Sequence, residues 1–324
     1  MGEVKQKLSH SAVEVFKECS EKYRLHYKEK LRSETTGSAL LFGSAIDKSL
    51  ELAMQTFPSC NEDVIKAKFL EHWNDAELNG QPINIPTSKL VTYSKADHEL
   101  DENPWESLKR KGLLIVEAFF REVYPLIESV VSTQEEIALT NSNGDSVVGF
   151  CDAVLKFKGY KQNLIMDVKT SARKYKDDSV KTSPQLSLYK HSLSAKYNTV
   201  TAGYIVFIKT INKNASKICV VCKHDGSATS HKTCANEVNG KRCGGELTIT
   251  YNPKVDVQIV IDDIDEAFEN KLLESFDDIN VKLQEESYEQ NLDSCYGKYG
   301  RCQYFEFCRN GYTTGLVKVE SRKK

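Results

Sequence analysis

An ordered set of charged residues between positions 149 and 189 has the types and spacing that metal-assisted chemistry requires. Asp152 comes three residues after Gly149, and Asp167 and Lys169 flank Val168 directly after an apolar run. Residues two apart in a strand share a face, so Asp167 and Lys169 are expected on one side and Val168 on the other. The spacing therefore predicts an acidic pair beside one lysine.

These carboxylates suit a hard divalent cation. Asp152 ends a stretch that can lie on a strand next to Asp167, with the polar segment 158–162 as the turn between them. Converging carboxylates are ligands that Mg²⁺ or Mn²⁺ prefers. Such an ion can activate water and stabilise charge on a phosphate under attack, and Lys169 would add a point charge beside it. The pattern indicates a nuclease centre.

Neighbouring residues strengthen this hypothesis. The apolar run before Asp167 favours a buried strand, where unpaired charges would be costly without a function. Gln185 and Tyr189 are one helical turn apart and share a helix face. The alternatives are an exposed strand with alternating charges and a polar helix surface with one aromatic anchor.

The order Gly-x-x-Asp, Asp-x-Lys, Gln-x-x-x-Tyr resembles the PD-(D/E)XK nucleases of the RecB-like branch, from about residue 8 to residue 308. The resemblance implies an α/β fold with a restriction-endonuclease-like core, in which helices flank a mixed central β-sheet. It also implies that Asp152, Asp167 and the carbonyl of Val168 bind Mg²⁺ or Mn²⁺ and that Lys169 assists the attack. Gln185 and Tyr189 would then brace the site or touch the DNA backbone.

One position departs from the family pattern. The branch usually carries Gly-x-x-x-His on a helix, whereas the corresponding segment here runs from Gly43 to Asp47. A carboxylate can ligate Mg²⁺ or Mn²⁺ as an imidazole can. Asp47 is therefore expected to be a further metal ligand, and the alternative is an exposed helix aspartate.

Four of the ten cysteines predict a structural zinc site. A segment of about thirty residues has almost no large apolar side chains, so it needs a metal to fix its fold. Two histidines, His224 and His231, lie close enough to replace one thiolate. The four thiolates fit a tetrahedral zinc-ribbon-like module, inserted at residues 215–248 between two strands. They belong to Cys219, Cys222, Cys234 and Cys243.

A second group consists of Cys295, Cys302 and Cys308 near the C-terminus, with Cys19 as a possible fourth member. Cys19 falls in a predicted amphipathic helix with a capping box at Ser11, and it could equally be a small core residue. Four thiolates suit zinc or an iron–sulfur cluster. Several RecB-like nucleases hold a [4Fe–4S] cluster with one N-terminal and three C-terminal cysteines, so the resemblance favours a cluster that clasps the chain ends.

Overall composition says little about nucleic-acid binding. The net charge is −2 and the isoelectric point is about 6.4, but residues 156–181 hold eight basic residues against three acidic ones. A basic stretch around an acidic pair suits a cleft that follows phosphates. The N-terminus lacks the apolar stretch of a signal peptide and no run approaches transmembrane length, so we expect a cytoplasmic protein without a membrane partner.

The predicted organisation is one nuclease domain over residues 1–324, with the insert at 215–248 and a cysteine cluster at 295–308 paired with Cys19. The N-terminal part is expected to be helical, and the strands follow from about residue 132, with a hairpin turn at Asn143-Gly144. The predicted helices are Ser11–Tyr27, Gly43–Met54, Asp63–Trp73 and Trp105–Val130.

The sequence thus predicts a metal-dependent DNA nuclease, and the resemblance favours an exonuclease. Its substrate would be DNA ends, single- or double-stranded. A bacterial or phage recombination or repair setting follows from the resemblance alone, with a helicase or recombinase as a possible partner. One alternative is a non-catalytic DNA-binding subunit of a recombination or repair complex. The other is a zinc-ribbon adaptor that binds proteins, which leaves the acidic site without a purpose.

Overall fold

A computed structural model of the chain describes residues 7–83, 89–140, 146–199, 201–226, 231–297 and 300–319 and has a mixed α/β architecture. Within these ranges, the α-helices are α1 (His10–Glu18), α2 (Ser20–Tyr23), α3 (Ser38–Gln55), α4 (Glu62–Asn74), α5 (Pro104–Ala118), α6 (Pro184–Tyr197), α7 (Glu266–Gln284) and α8 (Phe305–Asn310). The strands are β1 (Lys7–Ser9), β2 (Leu31–Ser33), β3 (Thr36–Gly37), β4 (Glu77–Leu78), β5 (Gln81–Pro82), β6 (Val91–Thr92), β7 (Ile127–Thr140), β8 (Ser146–Phe157), β9 (Leu164–Ser171), β10 (Thr201–Cys219), β11 (Glu237–Val238), β12 (Lys241–Arg242), β13 (Leu247–Asp263), β14 (Tyr296–Gly297), β15 (Gly300–Arg301) and β16 (Leu316–Lys318).

A six-stranded sheet forms the centre of the molecule. Its strands lie in the order β1-β8-β9-β10-β13, and β7 also pairs with β8. The strand pairs β1/β8 and β9/β10 are parallel, whereas β7/β8, β8/β9 and β10/β13 are antiparallel. The predicted mixed central sheet is therefore confirmed.

Helices cover both faces of this sheet. On one face, α3, α4 and α5 pack against Leu164 and Met166 of β9. On the other face, α1, α6 and α7 pack in the same core as Ile165. This alternation is what a strand with both faces buried requires. The predicted flanking helices are confirmed, and the architecture is consistent with a restriction-endonuclease-like fold.

Two predicted boundaries of local structure were wrong. Helix α5 ends at Ala118, and a 3₁₀ turn that contains Pro125 precedes β7, so the predicted helix to Val130 is too long. Proline lacks the N–H that a continuing helix needs, and residues from Ile127 onward pair with β8 instead. Helix α1 begins after Ser9, whose Oγ accepts a hydrogen bond from the N–H of Ala12 at 3.1 Å, so Ser11 is not its cap. The predicted turn Asn143-Gly144 lies outside the described residues.

The strands around the cysteine insert are longer than predicted. β10 pairs with β9 only as far as Ile208, and after an irregularity between Ile208 and Asn212 it continues beside β13 to Cys219. The pair thus leaves the sheet as a two-stranded ribbon that leads to the cysteines. After the cysteines, Leu247–Asp263 form the single strand β13.

Candidate functional site

The central sheet opens where β8 and β9 diverge. β7 occupies one edge of β8 along its length, whereas the other edge pairs with β1 at residues 146–148 and with β9 at residues 153–155. Among the described strands, none pairs with Gly149–Asp152 on that second edge. In this opening, the N–H of Val168 donates a hydrogen bond to Oδ2 of Asp152 with an N···O distance of 2.7 Å. The Asp152 carboxylate therefore takes the place of a missing strand partner.

Asp167 is the most deeply buried acid of the site. Its side chain is 0 % exposed, and Nζ of Lys169 lies 2.6 Å from its Oδ2. Its buried Oδ1 accepts no hydrogen bond from the described residues. A buried carboxylate oxygen without a partner is costly, so this oxygen is available for a cation.

Asp47 joins these residues from the other side of the opening. It lies in α3 and lines one cavity of about 410 Å³ together with Asp152, Asp167 and Lys169. It is half-buried, so the alternative of an exposed helix aspartate is wrong. We call this cavity, with its three aspartates and one lysine, the acidic cavity.

The electrostatics of the acidic cavity show an excess of negative charge. Burial, with the charge of Asp152 added, raises the pKa of Asp47 to about 6. The pKa values of Asp152 and Asp167 are also raised, mainly by burial; the charge of Asp167 adds to the shift of Asp152, and that of Asp47 to the shift of Asp167. Burial opposes the charged form of Lys169, but Asp167 outweighs it and raises the pKa of that lysine. One lysine does not balance three carboxylates, and a divalent cation would complete the balance.

Helix α6 brings the two remaining predicted residues to the same place. Nε2 of Gln185 donates a hydrogen bond to the Tyr189 hydroxyl at 2.6 Å, and both side chains line the acidic cavity. Burial, with the charges of Asp167 and Asp152, raises the pKa of Tyr189, so its hydroxyl stays protonated. The pair can therefore present neutral hydrogen-bonding groups beside the acids.

The cavity also contains apolar residues that the sequence analysis missed. Leu40 of α3 and Phe150 of β8 line it with largely exposed side chains. Phe150 precedes Asp152 by two residues and Leu40 precedes Asp47 by seven, so strand and helix periodicity place each pair on one face. That spacing could have predicted that each apolar residue shares a face with an aspartate. Only the exposure of the two side chains in the structure distinguishes them from core residues.

The predicted basic stretch is partly neutralised. Lys156 forms an ion pair with Glu128 at 2.7 Å, and Lys181 lies 3.5 Å from Asp262. Lys169 is paired with Asp167. The net positive charge of residues 156–181 is therefore weaker than the sequence alone indicates.

The first cysteine group is assembled at the tip of the β10–β13 ribbon. The sulfurs of all four residues lie within 4.8 Å of one another, and two of their S···S distances are 3.6 Å. Zn–S bonds of about 2.3 Å in a tetrahedron give S···S distances of roughly 3.8 Å, so the residues fit a zinc ion. Neither His224 nor His231 belongs to this group. The residues are Cys219, Cys222, Cys234 and Cys243.

Local groups favour the thiolate form of two of these four residues, whereas burial raises the pKa of Cys234 to about 12. A backbone N–H at His224 lowers the pKa of Cys222 to about 6, and one at Cys222 lowers the pKa of Cys219. Nδ2 of Asn236 lies 3.7 Å from the sulfur of Cys222. Donors of this kind stabilise thiolates, the form that binds metal.

The second cysteine group is wider. A break between α1 and α2 places Cys19 in an extended conformation. Its sulfur accepts hydrogen bonds from the N–H groups of Lys22 and Asn291, both at 3.4 Å. It is half-buried and lies outside both sheet cores, so its interpretation as a core residue is wrong. The break instead directs the thiol toward the C-terminal segment.

Among the three C-terminal cysteines, Cys295 precedes and Cys302 follows a small antiparallel pair of strands, β14 and β15. The N–H of Cys302 donates to the carbonyl of Cys295 at 2.8 Å. Burial raises the pKa of Cys308 to about 11, and the charges of Cys302, Cys19 and Cys295 add to this shift. Within the described ranges, no three of these sulfurs lie within 4.8 Å of one another. These thiols are therefore less tightly grouped than those of Cys219, Cys222, Cys234 and Cys243.

Comparison with known families agrees with this geometry. The sequence matches the PD-(D/E)XK nuclease superfamily over residues 7–309, and the chain belongs to that superfamily. A search of curated proteins gave no match. Over the described residues, no helix is both long and apolar enough to span a bilayer.

Proposed function

We propose that this protein is a metal-dependent deoxyribonuclease that hydrolyses phosphodiester bonds in the acidic cavity. The observation that carries the proposal is the convergence of Asp47, Asp152, Asp167 and Lys169 on one cavity, although they come from three different elements. Membership of a nuclease superfamily supports the reaction class and DNA as the substrate.

The oxygen atoms of the cavity fit Mg²⁺ or Mn²⁺. Asp47, Asp152, Asp167 and the carbonyl of Val168 offer hard ligands, and Oδ1 of Asp167 is buried without a hydrogen-bond donor. When bound, such an ion supplies an activated water and stabilises negative charge on the phosphate. Asp152 also fixes the backbone at Val168 through its 2.7 Å hydrogen bond, which holds the two strands in register for this task.

Lys169 is placed to assist the attack in this proposal. Its Nζ lies 2.6 Å from Oδ2 of Asp167, and from there it positions the phosphate or the attacking water, or helps to deprotonate that water. The Gln185–Tyr189 pair braces the cavity wall and offers hydrogen bonds to the DNA backbone. Each polar residue predicted from sequence thus has a distinct task.

The finer assignments rest on the sequence resemblance. We propose an exonuclease of the RecB-like branch that trims DNA ends in bacterial or phage recombination, repair or DNA processing in the cytoplasm. A helicase or recombinase would be its partner. The proposed organisation is one nuclease domain over residues 1–324, with the insert at 215–248 and the 295–308 cluster joined to Cys19.

End-labelled linear DNA tests the activity directly. The purified protein is incubated with Mg²⁺ or Mn²⁺ and single- or double-stranded DNA, beside Asp167→Ala and Lys169→Ala. Progressive release of the label by the wild type alone supports an exonuclease and gives its polarity. Asp277→Ala, which removes an exposed aspartate of α7, is the matched control and should cut normally. Full activity in either cavity variant would refute the assignment.

The same assay separates the two alternatives. A non-catalytic DNA-binding subunit would bind DNA but cut none of it with any divalent metal. A zinc-ribbon adaptor would lose its function when residues 215–248 are deleted, whereas a nuclease should largely keep its activity on DNA. The complete set of carboxylates in one cavity favours the nuclease over both.

We further propose that the two cysteine groups hold different metals. The compact group Cys219–Cys243 fits one zinc ion. The wider group of Cys19, Cys295, Cys302 and Cys308 suits a [4Fe–4S] cluster, because each thiolate then binds a different iron. Anaerobically purified protein should hold about four irons with acid-labile sulfide, and Cys302→Ser should lower the iron content while zinc stays bound. Zinc in both groups would refute the cluster.

A further inference from the structure

Two exposed apolar side chains flank the acidic cavity, and they serve no purpose in metal binding. Leu40 is 72 % exposed and Phe150 is 56 % exposed, and both line the cavity that contains Asp47 and Asp152. Single exposed apolar residues are ordinary on a protein surface. Here, however, two of them line one cavity that also contains three aspartates.

Both side chains stand close to the proposed metal site. Leu40 and Asp47 lie two turns apart on the same face of α3, which is about 10 Å along the helix axis. Phe150 and Asp152 are two apart on β8 and share a face, about 7 Å along the strand. A phosphate held at the acids would therefore place its neighbouring nucleotides beside Leu40 and Phe150.

The backbone around Phe150 is well fixed. β8 pairs with β7 on one edge, where Phe150 lies opposite Glu136. Its side chain is 56 % exposed and lines the acidic cavity, so much of the ring is accessible from that side. An aromatic ring on a rigid strand with an open side is suited to receive a flat ligand.

We propose that Phe150 and Leu40 form a stacking platform for an unpaired nucleobase, so that the nuclease acts on single-stranded DNA or on frayed ends. This inference rests on the proposed function and names its substrate class. A base in a duplex has both faces covered by its neighbours, whereas an unpaired base offers a free face to an aromatic ring. Stacking also tolerates any base, so the platform itself would not select a sequence.

Binding experiments with the full-length chain test the platform without depending on cleavage. An Asp167→Ala background with Mg²⁺ prevents cleavage, and oligonucleotides carry one 2-aminopurine as a fluorescent base. We expect added Phe150→Ala to weaken binding of single strands about tenfold, the size typical of losing one stacked base. Binding of a blunt duplex should change less than about twofold, since its bases are not available for stacking. Quenching of the 2-aminopurine should disappear, and Phe150→Trp should restore both signals.

Controls come from the same molecule. Tyr160→Ala removes an exposed aromatic ring in the turn after β8, outside the residues that line the acidic cavity, and should leave single-strand binding unchanged. Leu40→Ala should give a smaller loss in the same direction, compared with Leu292→Ala at another exposed leucine.

Two outcomes would overturn the platform. One is equal weakening of single-strand and duplex binding by Phe150→Ala, which would make the ring a general contact. The other is no change with either DNA, which would mean that the ring faces a protein partner or solvent. Failure of the proposed function is distinct, since it appears as absence of cleavage by the wild type while these binding results still decide the platform.

Discussion

The acidic cavity and the cysteine group at the tip of the β10–β13 ribbon are both candidate metal sites, but different forces hold them. The acids sit on α3, β8 and β9, which are fixed by large apolar cores on both faces of the sheet. Around the cysteines, the buried residues are Cys219, Cys234 and Leu247. The acidic cavity is therefore built by the apolar cores, whereas we expect the cysteine module to depend on a bound metal for its fold.

The difference also explains what the sequence could predict. The cysteine group is contained in a short segment, so spacing alone identified it. Asp152, Asp167 and Lys169 were predicted because strand periodicity and the family pattern apply to a short stretch. Asp47 is far away in the chain, and only the resemblance connected it to the others.

Features that depend on tertiary packing could not be predicted from the sequence. The exposure of Leu40 and Phe150 depends on where β8 and β9 diverge, which no local pattern encodes. The break at Cys19 was also missed, because the segment has a regular amphipathic pattern across it. Its extended conformation is accompanied by hydrogen bonds to residues near 289–291, more than two hundred positions away. Tertiary contacts overrode local propensity there.

The largest loss of DNA cleavage should come from Asp167→Ala. Cleavage should fall by at least about a hundredfold, since the ion loses its most buried ligand. The temperature of thermal unfolding of the metal-free protein should change little, because removal of a buried carboxylate with a raised pKa offsets the loss of the ion pair with Lys169. Calorimetry beside the cleavage assay checks both points. A variant that unfolds at a clearly lower temperature would show that the acid is structural.

Removal of metal from the cysteine module should disturb local structure and leave DNA cleavage almost unchanged, the reverse of what Asp167→Ala should do. Cys222→Ser should release zinc, and amide hydrogen exchange should rise sharply in residues 231–247 while β8 and β9 stay protected. DNA cleavage should remain within about threefold of the wild type, because the sheet cores hold the acidic cavity. Ser59→Ala changes a residue far from both sites in the sequence. It is the control for zinc or activity lost during purification. Protection that is lost across the whole sheet would contradict the independence of the two regions.

A glycine in the module offers a milder test. A Cβ at Gly245 would lie 2.7 Å from the Cys219 sulfur and 2.9 Å from Cγ2 of Val221, so Gly245→Ala must displace the ligand or the backbone. We expect zinc affinity to fall about 10- to 100-fold, as for other residues that support metal ligands. Competition with a chromogenic chelator measures this change. Gly240→Ala is a poor control because Gly240 has a positive φ of 72°, so the better comparison is a glycine with room and helical geometry.

Gly43 of α3, beside the acidic cavity, is a glycine of this kind. Of the changes predicted here, Gly43→Ala should have the smallest effect on the protein. A Cβ there would meet only Oγ1 of Thr170 at 3.8 Å, an ordinary contact distance. Gly43→Ala should therefore raise the free energy of unfolding by about 0.5–1 kcal/mol, the usual gain from replacing a glycine within a helix. Chemical denaturation measures it, and cleavage should stay within about threefold. If cleavage instead falls strongly while stability rises, the DNA backbone must pass against α3 at this residue, and the missing side chain serves the substrate and not the fold.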